Sequence, residues 1–238
     1  VLAGAALGLG IGIFLHGLLE TAPFETLRDI PSAEAWMALP GVLDLAREHA
    51  ANAGVDAQHV PAAMRLAYRV LASPVHAGGL HLPRGFRALE DRAAEVKLLF
   101  PIPESTDMRA WEFRVDRGLI RAVIDLVFQH EGRTWFVDWT SDILPDASAD
   151  ALRAHVDAEY RMQLVLYTLG TCRMLGVRDR ETYDRLFGGL VYAFIRDMRG
   201  DDPAAGLHVD RPSWEDVVAW ELQLRSGHMP WPALWKAA

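Results

Sequence analysis

The sequence predicts an α/β or α+β fold in which a sheet is covered by helices and preceded by a helical region. Three observations lead to this prediction: helical periodicity fills the first third, a run of apolar strands follows, and a long helix separates those strands from a further apolar strand. With 238 residues, half of them apolar, the chain can bury a sizeable core in one large domain or two small ones.

The first third contains three helical segments. Residues 13–27 carry apolar side chains at helical spacing. Residues 33–54 give one or two further helices, interrupted at Pro40. Residues 60–74 give another, with Pro61 in its first turn. We therefore expect residues 1–90 to form a helical part that precedes the sheet.

The opening "VLAGAALGLGIGIFLHGLL" is apolar but lacks the basic residues that flank signal and membrane segments. Its glycines and the absence of an initiator Met suggest a former linker in a longer chain. Cys172 is the single cysteine, so a disulfide framework is excluded and a reducing, cytoplasmic setting is expected. The net charge of −8 argues against a surface that binds nucleic acid throughout, and it suits a site for divalent cations.

The middle of the chain reads as strands. Residues 94–102 form the first, residues 117–129 form a long second, and "TWFVDW" returns antiparallel to it after a tight turn at Glu131–Gly132. The remaining elements are a long helix over 147–176, a buried strand over 188–196 and a closing helix over 213–227. Ser213 is expected to cap the closing helix and Gly227 to end it.

Two aspartates stand inside or at the end of the apolar strands of this hairpin. A turn at Glu131–Gly132 sets Asp125 nearly opposite Asp138, so that the two carboxylates share one face. Like charges at such range favour a cation between them, which predicts a divalent metal site. Two strand-end carboxylates that face water are the alternative. Glu95, just before the apolar run of the preceding strand, can join the same sheet edge.

Five segments follow one another in the order "GIFLHGLLE", "AEVKLLFPI", "GLIRAVIDLVFQHEGRTWFVDWTSD", "YRMQLVLYTLG" and "FGGLVYAFIRDM". Together they resemble the RecB family of C-terminal nuclease domains, in the PD-(D/E)xK nuclease superfamily. The resemblance implies a restriction-endonuclease-like core with a mixed central sheet over 91–238. It also implies Mg²⁺- or Mn²⁺-dependent hydrolysis of DNA in recombination and repair. DNA, a helicase domain in the same chain and RecC- and RecD-like subunits would be the partners, with no role for a membrane.

The resemblance also implies roles for individual residues. The metal ligands would be His16, Asp125, Asp138 and the main-chain carbonyl of Trp139, and the family's strand glutamate corresponds to Glu95. The Q-x-x-x-Y element of the family falls on Gln163 and Tyr167, with Tyr160 one turn earlier. Taken singly, His16 is more typical of a core histidine, and the residues on the later helix are typical of a half-buried stripe.

The chain departs from the family at the lysine of D-x-K, where Thr140 stands. Threonine carries no charge, so we expect reduced activity, because loss of one such group costs on the order of 10²–10³ in rate. Lys97 on the preceding strand is a candidate substitute, since it shares a strand face with Glu95 under period-two alternation, and Arg121 is a second. Two hypotheses result. The first is an exonuclease domain, and the second is a catalytically inactive nuclease fold that binds DNA or a partner.

Overall fold

The computed structural model describes residues 2–101 and 119–226, and these form an α/β protein with a five-stranded mixed sheet. The helices are α1 Leu2–Glu20, α2 Phe24–Leu27, α3 Ala33–Met37, α4 Val42–Asn52, α5 Val60–Ala72, α6 Ala149–His155, α7 Arg161–Met174, α8 Arg180–Leu186 and α9 Trp214–Ser226. The strands are β1 Val75–Ala77, β2 Leu80–Leu82, β3 Arg92–Pro101, β4 Leu119–His130, β5 Arg133–Thr140, β6 Phe187–Phe194 and β7 Leu207–Asp210. The large sheet has the order β3-β4-β5-β6-β7, and β1 and β2 pair separately. The predicted fold class is confirmed.

The helical first third is confirmed with two corrections, the first being that the hairpin β1–β2 lies within residues 1–90. The predicted helix over 13–27 is two helices, because α1 already begins at Leu2 and a break that includes Pro23 separates it from α2. Proline cannot donate the hydrogen bond that would continue a helix, so the chain restarts there. α3 and α4 flank Pro40 and α5 carries a proline in its first turn, both as predicted.

The glycine-rich start is part of helix α1, so its prediction as a former linker is wrong. Two glycines on this helix allow close approach to α4 and the loop after it. A Cβ on Gly10 would lie 2.8 Å from the carbonyl oxygen of Ala53, and one on Gly17 would lie 3.1 Å from Nδ1 of His49. A side chain at Gly10 would therefore push the backbones apart, which explains why a helix uses a residue of low helical propensity here.

The predicted tight turn at Glu131–Gly132 is confirmed, and the structure also shows its type. β4 and β5 pair antiparallel from His130 opposite Arg133 to Leu126 opposite Val137. The two turn residues, Glu131 and Gly132, have φ values of 51° and 76°. Positive φ at both central positions is the requirement of a type I′ turn, whose twist matches that of the strands it joins.

The predicted helix over 147–176 is α6 and α7 joined by a π-helical turn at Val156–Tyr160. A π turn adds one residue to the helical repeat, and such turns are frequent at functional sites. The π turn sets the direction in which the side chains at the start of α7 point. The sequence gives no sign of it, because apolar spacing continues through the turn.

The later elements were predicted in part. β6 is buried along its whole length, as expected for a covered strand. α9 begins after Ser213, whose hydroxyl accepts from the main-chain N–H of Asp216 at 3.1 Å. Gly227 and residues 117–118 lie outside the described residues. The sequence did not reveal the short elements β1, β2, α8 and β7, which have three to seven residues each.

The chain divides into two compact units, so far as the structure describes them. One comprises Val1–Arg92, Trp139–Leu152 and Tyr192–His208, and the other comprises Ala93–Asp138, Arg153–Val191 and Val209–Ala238. Large fully buried side chains form the core of each unit. In the first they include Phe14, Leu27, Met64 and Phe86, and in the second Phe128, Phe136, Tyr183 and Phe187. Within residues 2–101 and 119–226, no helix has the length and apolar character that a membrane span needs.

Candidate functional site

The β4–β5 hairpin brings two carboxylates to one face of the sheet. Leu126 lies opposite Val137 in the register, and both are buried. Asp125 and Asp138 are the next residues along the two strands, and both are half-buried. Because side chains alternate between the faces of a strand, the two aspartates point away from the face of Leu126 and Val137.

Helix α7 places a glutamine and a tyrosine beside Asp138. The amide Nε2 of Gln163 donates to Oδ1 of Asp138 at 2.9 Å and to the hydroxyl oxygen of Tyr167 at 3.1 Å. The Tyr167 hydroxyl in turn donates to the main-chain carbonyl of Val123 on β4. Residues four apart share one face of a helix, so the Q-x-x-x-Y spacing directs both side chains at β4 and β5. Asp138 is therefore held by a chain of hydrogen bonds anchored on the sheet backbone.

The chemistry of these partners fixes the orientation of the Gln163 amide. A carboxylate only accepts, and the Tyr167 hydroxyl proton is directed at Val123, so the NH₂ group must face both of them. The opposite atom, Oε1, is buried and has no donor among the described residues. A buried acceptor without a donor is costly unless water or a cation completes it.

The pKa of the Tyr167 hydroxyl reflects several acidic side chains near it. Burial raises the pKa of its hydroxyl above the usual value, and the charges of Asp138, Asp125 and Glu95 raise the pKa further. The hydrogen bond from Gln163 acts in the opposite direction. Three carboxylates therefore lie within electrostatic range of one buried phenol, which stays protonated and remains a donor.

Glu95 stands at an irregular position of β3. Its φ is 52°, which lies in the left-handed region that non-glycine residues rarely adopt. A residue with this backbone conformation interrupts the alternation of side chains between the two faces of a strand. Alternation therefore no longer places Glu95 and Lys97 on the same face of β3. Glu95 is half-buried, whereas Lys97 and Arg121 are exposed. Backbone strain of this kind is concentrated at functional sites.

The position of the expected lysine has a different environment. Thr140 is 4% exposed, and its hydroxyl oxygen accepts from the main-chain N–H of Asp142 at 3.3 Å. Its main-chain carbonyl accepts from Ile195 at 3.0 Å. The neighbouring carbonyl of Ser141 accepts from Nε of Arg196 at 2.9 Å. These contacts fix the strand end to the chain segment that follows β6.

The side chain of Trp139 packs in the core. It is 4% exposed and meets the ring of Phe86 edge to face, with ring centroids 5.1 Å apart. The role of the main-chain carbonyl of Trp139 as a metal ligand stays a prediction.

His16 and Tyr160 also stay predictions as site residues. His16 is half-buried on α1 and lines an open pocket of about 560 Å³ together with Glu20 and His49, among others. Nε2 of His49 lies 3.2 Å from the Thr21 hydroxyl oxygen. Tyr160, the last residue of the π turn, meets the ring of His155 at a centroid distance of 5.8 Å.

In the described part of the chain, no three His, Cys, Asp or Glu side chains converge as a ready-made metal cluster. Mg²⁺ does not require one, since it usually takes one or two carboxylates and keeps several waters. Asp125, Asp138 and the buried Oε1 of Gln163 fit that pattern of carboxylate ligands and water-binding groups.

The main-chain carbonyl of Val123, which anchors Tyr167, could not be found from sequence because every residue carries such a group.

No protein-family model matches the chain. The chain is 29% identical over 234 residues to the RecBCD enzyme subunit RecB of Escherichia coli (strain K12), an alignment covering 87% of this chain and 18% of that protein. It is 39% identical over 113 residues to the RecBCD enzyme subunit RecB of Haemophilus influenzae, covering 45% of this chain and 9% of that protein. The alignments thus span less than a fifth of the length of these relatives. The chain is related in sequence to a region of RecB subunits.

Proposed function

We propose that the chain is a RecB-like nuclease domain that hydrolyses DNA phosphodiesters with Mg²⁺ or Mn²⁺ and serves in recombination and double-strand-break repair. The similarity to RecB subunits supports the setting, and the acids around Tyr167 support the chemistry. DNA is the substrate under this proposal. A helicase domain in the same chain and RecC- and RecD-like subunits are the partners, in the cytoplasm.

The observation that carries the proposal is the support of Asp138. A carboxylate that binds a metal is usually itself hydrogen-bonded, because the second contact fixes its direction. Gln163 supplies that contact at 2.9 Å, and Tyr167 fixes Gln163. A strand-end aspartate that merely faces water has no need of a two-residue support from another element.

Asp125 and Asp138 would hold the metal, and the acceptor Oε1 of Gln163 suits a water in its outer shell. His16 and the main-chain carbonyl of Trp139 are the further ligands that the resemblance implies. When bound, the metal would supply neutralisation of phosphate charge and activation of the attacking water. A tyrosine hydroxyl is protonated at neutral pH, and the pKa of Tyr167 is raised further, so Tyr167 continues to orient Gln163.

Cleavage of DNA tests the proposal. The chain is incubated with linear single- and double-stranded DNA and Mg²⁺ or Mn²⁺, alongside Asp138→Ala and Asp44→Ala. Asp44 is an exposed helical aspartate paired with Arg47, which makes it a matched control. We expect cleavage by the parent and by Asp44→Ala, and loss of cleavage in Asp138→Ala. Equal cleavage by all three proteins would contradict the proposal.

The same assay examines the candidate substitute cation. If Lys97 replaces the lysine of D-x-K, Lys97→Ala loses most of the remaining activity. Its exposed position argues for a solvated side chain, in which case Lys97→Ala cleaves DNA at the parent rate. Lys97→Arg, which keeps the charge, separates loss of charge from loss of the side chain.

A second candidate function has an observation of its own. Thr140 is buried and engaged with backbone, so it offers the phosphate no charge. This favours a nuclease fold that binds DNA or a partner protein without cleaving. A parent chain that binds DNA but does not cut it, together with a Thr140→Lys variant that does cut, would establish the second function and exclude the first.

A further inference from the structure

A histidine pair stands on the outer face of the small β1–β2 hairpin, which the proposed nuclease function does not use. His76 on β1 lies directly opposite His81 on β2 in the register. Both side chains are exposed, and their ring centroids lie 5.0 Å apart with an angle of 73° between the rings. Two imidazoles thus meet at the surface with open solvent around them.

The turn identifies the type of this pair. Gly78 and Gly79 have φ values of 53° and 85°, as a two-residue type I′ turn requires. In such a hairpin the residues next to the turn form the hydrogen-bonded pair, so His76 and His81, one position further, form a non-hydrogen-bonded pair. The main-chain N–H of His76 indeed donates outside the hairpin, to the carbonyl of Pro203 at 2.8 Å. Side chains approach most closely in pairs of this type, with Cβ atoms about 4.5–5.5 Å apart.

The hairpin is held rigidly beneath the histidines. Its inward residues Val75, Leu80 and Leu82 are 0%, 0% and 5% exposed. The hydrogen bond to Pro203 fixes the β1 backbone from the side. The two imidazoles are therefore presented by a fixed backbone, and only side-chain rotations remain to be restricted when both bind one ligand.

We propose that His76 and His81 form a surface site for a divalent transition-metal ion that prefers imidazole nitrogen, such as Ni²⁺, Cu²⁺ or Zn²⁺. Two nitrogens bound to one ion at about 2.0–2.1 Å lie about 3.3 Å apart in tetrahedral geometry. Cross-strand side chains of this pair reach that separation by rotation about χ1 and χ2. Water completes the coordination, since no third protein ligand converges with them among the described residues.

The site differs in chemistry from the proposed magnesium site. Mg²⁺ takes oxygen ligands and is not expected at a pair of imidazoles, whereas Ni²⁺ or Cu²⁺ can also occupy a carboxylate site, so substitution of the two histidines is needed to assign the binding. Paramagnetic Ni²⁺ or Cu²⁺ added to the whole chain is expected to broaden the ring proton signals of His76 and His81 first. Mg²⁺ at the same concentration is expected to leave those signals unchanged.

Calorimetric titration with NiCl₂ measures the affinity in the parent, in His76→Ala, in His81→Ala and in His59→Ala. Removal of either member of the pair is expected to weaken binding at least about tenfold, since loss of even an outer-shell partner of a metal costs that much. His59, on a separate helical turn, serves as the matched control, and its substitution leaves the affinity unchanged.

Both outward histidines are exposed, so the alanine variants are expected to keep the melting temperature of the parent within a few degrees. Ring signals that stay sharp with Ni²⁺, or an affinity that both single variants retain, would overturn the proposal. An affinity lost equally in His59→Ala would do the same, because it would place the metal elsewhere.

Discussion

Two positions on strand β5 differ sharply although only one residue separates them. Asp138 is half-buried, and a glutamine and a tyrosine from another element support its carboxylate. Thr140 is 4% exposed, and both its hydroxyl and its carbonyl are engaged with main-chain groups. The carboxylate that the proposed function assigns to the metal is thus hydrogen-bonded by side chains. At the position where the resemblance implies a lysine, the chain has a buried threonine that is bonded to main-chain groups.

Restoration of the charge is the strongest way to examine this difference. We expect Thr140→Lys to raise the rate of DNA cleavage by about 10²–10³, the range that one charge-stabilising donor supplies. The measurement is the initial rate of cleavage of linear DNA with Mg²⁺. Thr140→Lys combined with Asp138→Ala serves as the control and is expected to be inactive.

An isosteric variant separates the role of the Thr140 hydroxyl from that of its volume. Thr140→Val removes the acceptor for the N–H of Asp142, which lowers the free energy of unfolding by about 1 kcal/mol. The cleavage rate should stay at the parent value. A lower cleavage rate in Thr140→Val would show that the Thr140 hydroxyl acts on the substrate. Thr140 and Asp138 would then both serve cleavage, and the difference between the two positions would disappear.

The next prediction concerns the hydrogen bond that Gln163 donates to Asp138. Gln163→Leu removes the donor to Asp138 and Tyr167 while it keeps the apolar volume of the side chain. Because loss of an outer-shell partner typically costs 10–100-fold, we expect a loss of about that size in Mg²⁺ affinity or in cleavage rate. Gln129→Leu, at an exposed glutamine of β4, is the matched control. Equal losses in both variants would assign the effect to the sheet surface in general.

The raised pKa of Tyr167 predicts a dependence of stability on alkaline pH. In the folded chain the pKa lies above the unfolded value of about 10, so the stabilising contribution is complete below that pH. It declines as pH rises above the unfolded value, by up to about 1.4 kcal/mol per pH unit. Urea unfolding of the parent and of Tyr167→Phe between pH 9 and pH 11 measures the difference. The phenylalanine variant is expected to lose less stability over this interval.

The smallest effect is expected from substitution of the two glutamates that have positive φ. Glu131 sits in the β4–β5 turn, and Glu95 sits in β3 near the acids. Glycine relieves the left-handed strain at either position, so both substitutions should stabilise the fold by up to about 1 kcal/mol. We expect Glu131→Gly to keep the cleavage rate and Glu95→Gly to lower it. Thermal unfolding and the cleavage assay together separate strain from function.

Residue spacing predicted the helices and strands whose apolar side chains recur with a regular period. Apolar periodicity found the helices before the sheet and the strands β3, β4, β5 and β6, and the Glu-Gly dipeptide located the hairpin turn. The lengths of β1, β2, β7 and α8 were too short for a periodic signal. The glycines of α1 were misread because a close approach of two helices is a tertiary contact, and local composition alone resembles a linker.

The candidate site shows the same limit. Asp125 and Asp138 were predicted as neighbours because an antiparallel register follows from the turn. The left-handed backbone at Glu95 was not foreseen, and it removed the reason for placing Lys97 with that acid. Likewise, the orientation of the Gln163 amide depends on three hydrogen-bonding partners from different strands and helices. Such features arise from the assembled fold and leave no local pattern in the chain.

Binding of Mn²⁺ tests the central claim most directly, because it examines the carboxylate pair without the need for turnover. Electron paramagnetic resonance measures free Mn²⁺ during titration of the parent, Asp125→Asn, Asp138→Asn and the exposed control Asp44→Asn. We predict that the parent and Asp44→Asn bind the ion alike, and that each of the other two variants weakens binding by at least about tenfold. Equal Mn²⁺ affinity in all four proteins would contradict the assignment of Asp125 and Asp138 as the metal site.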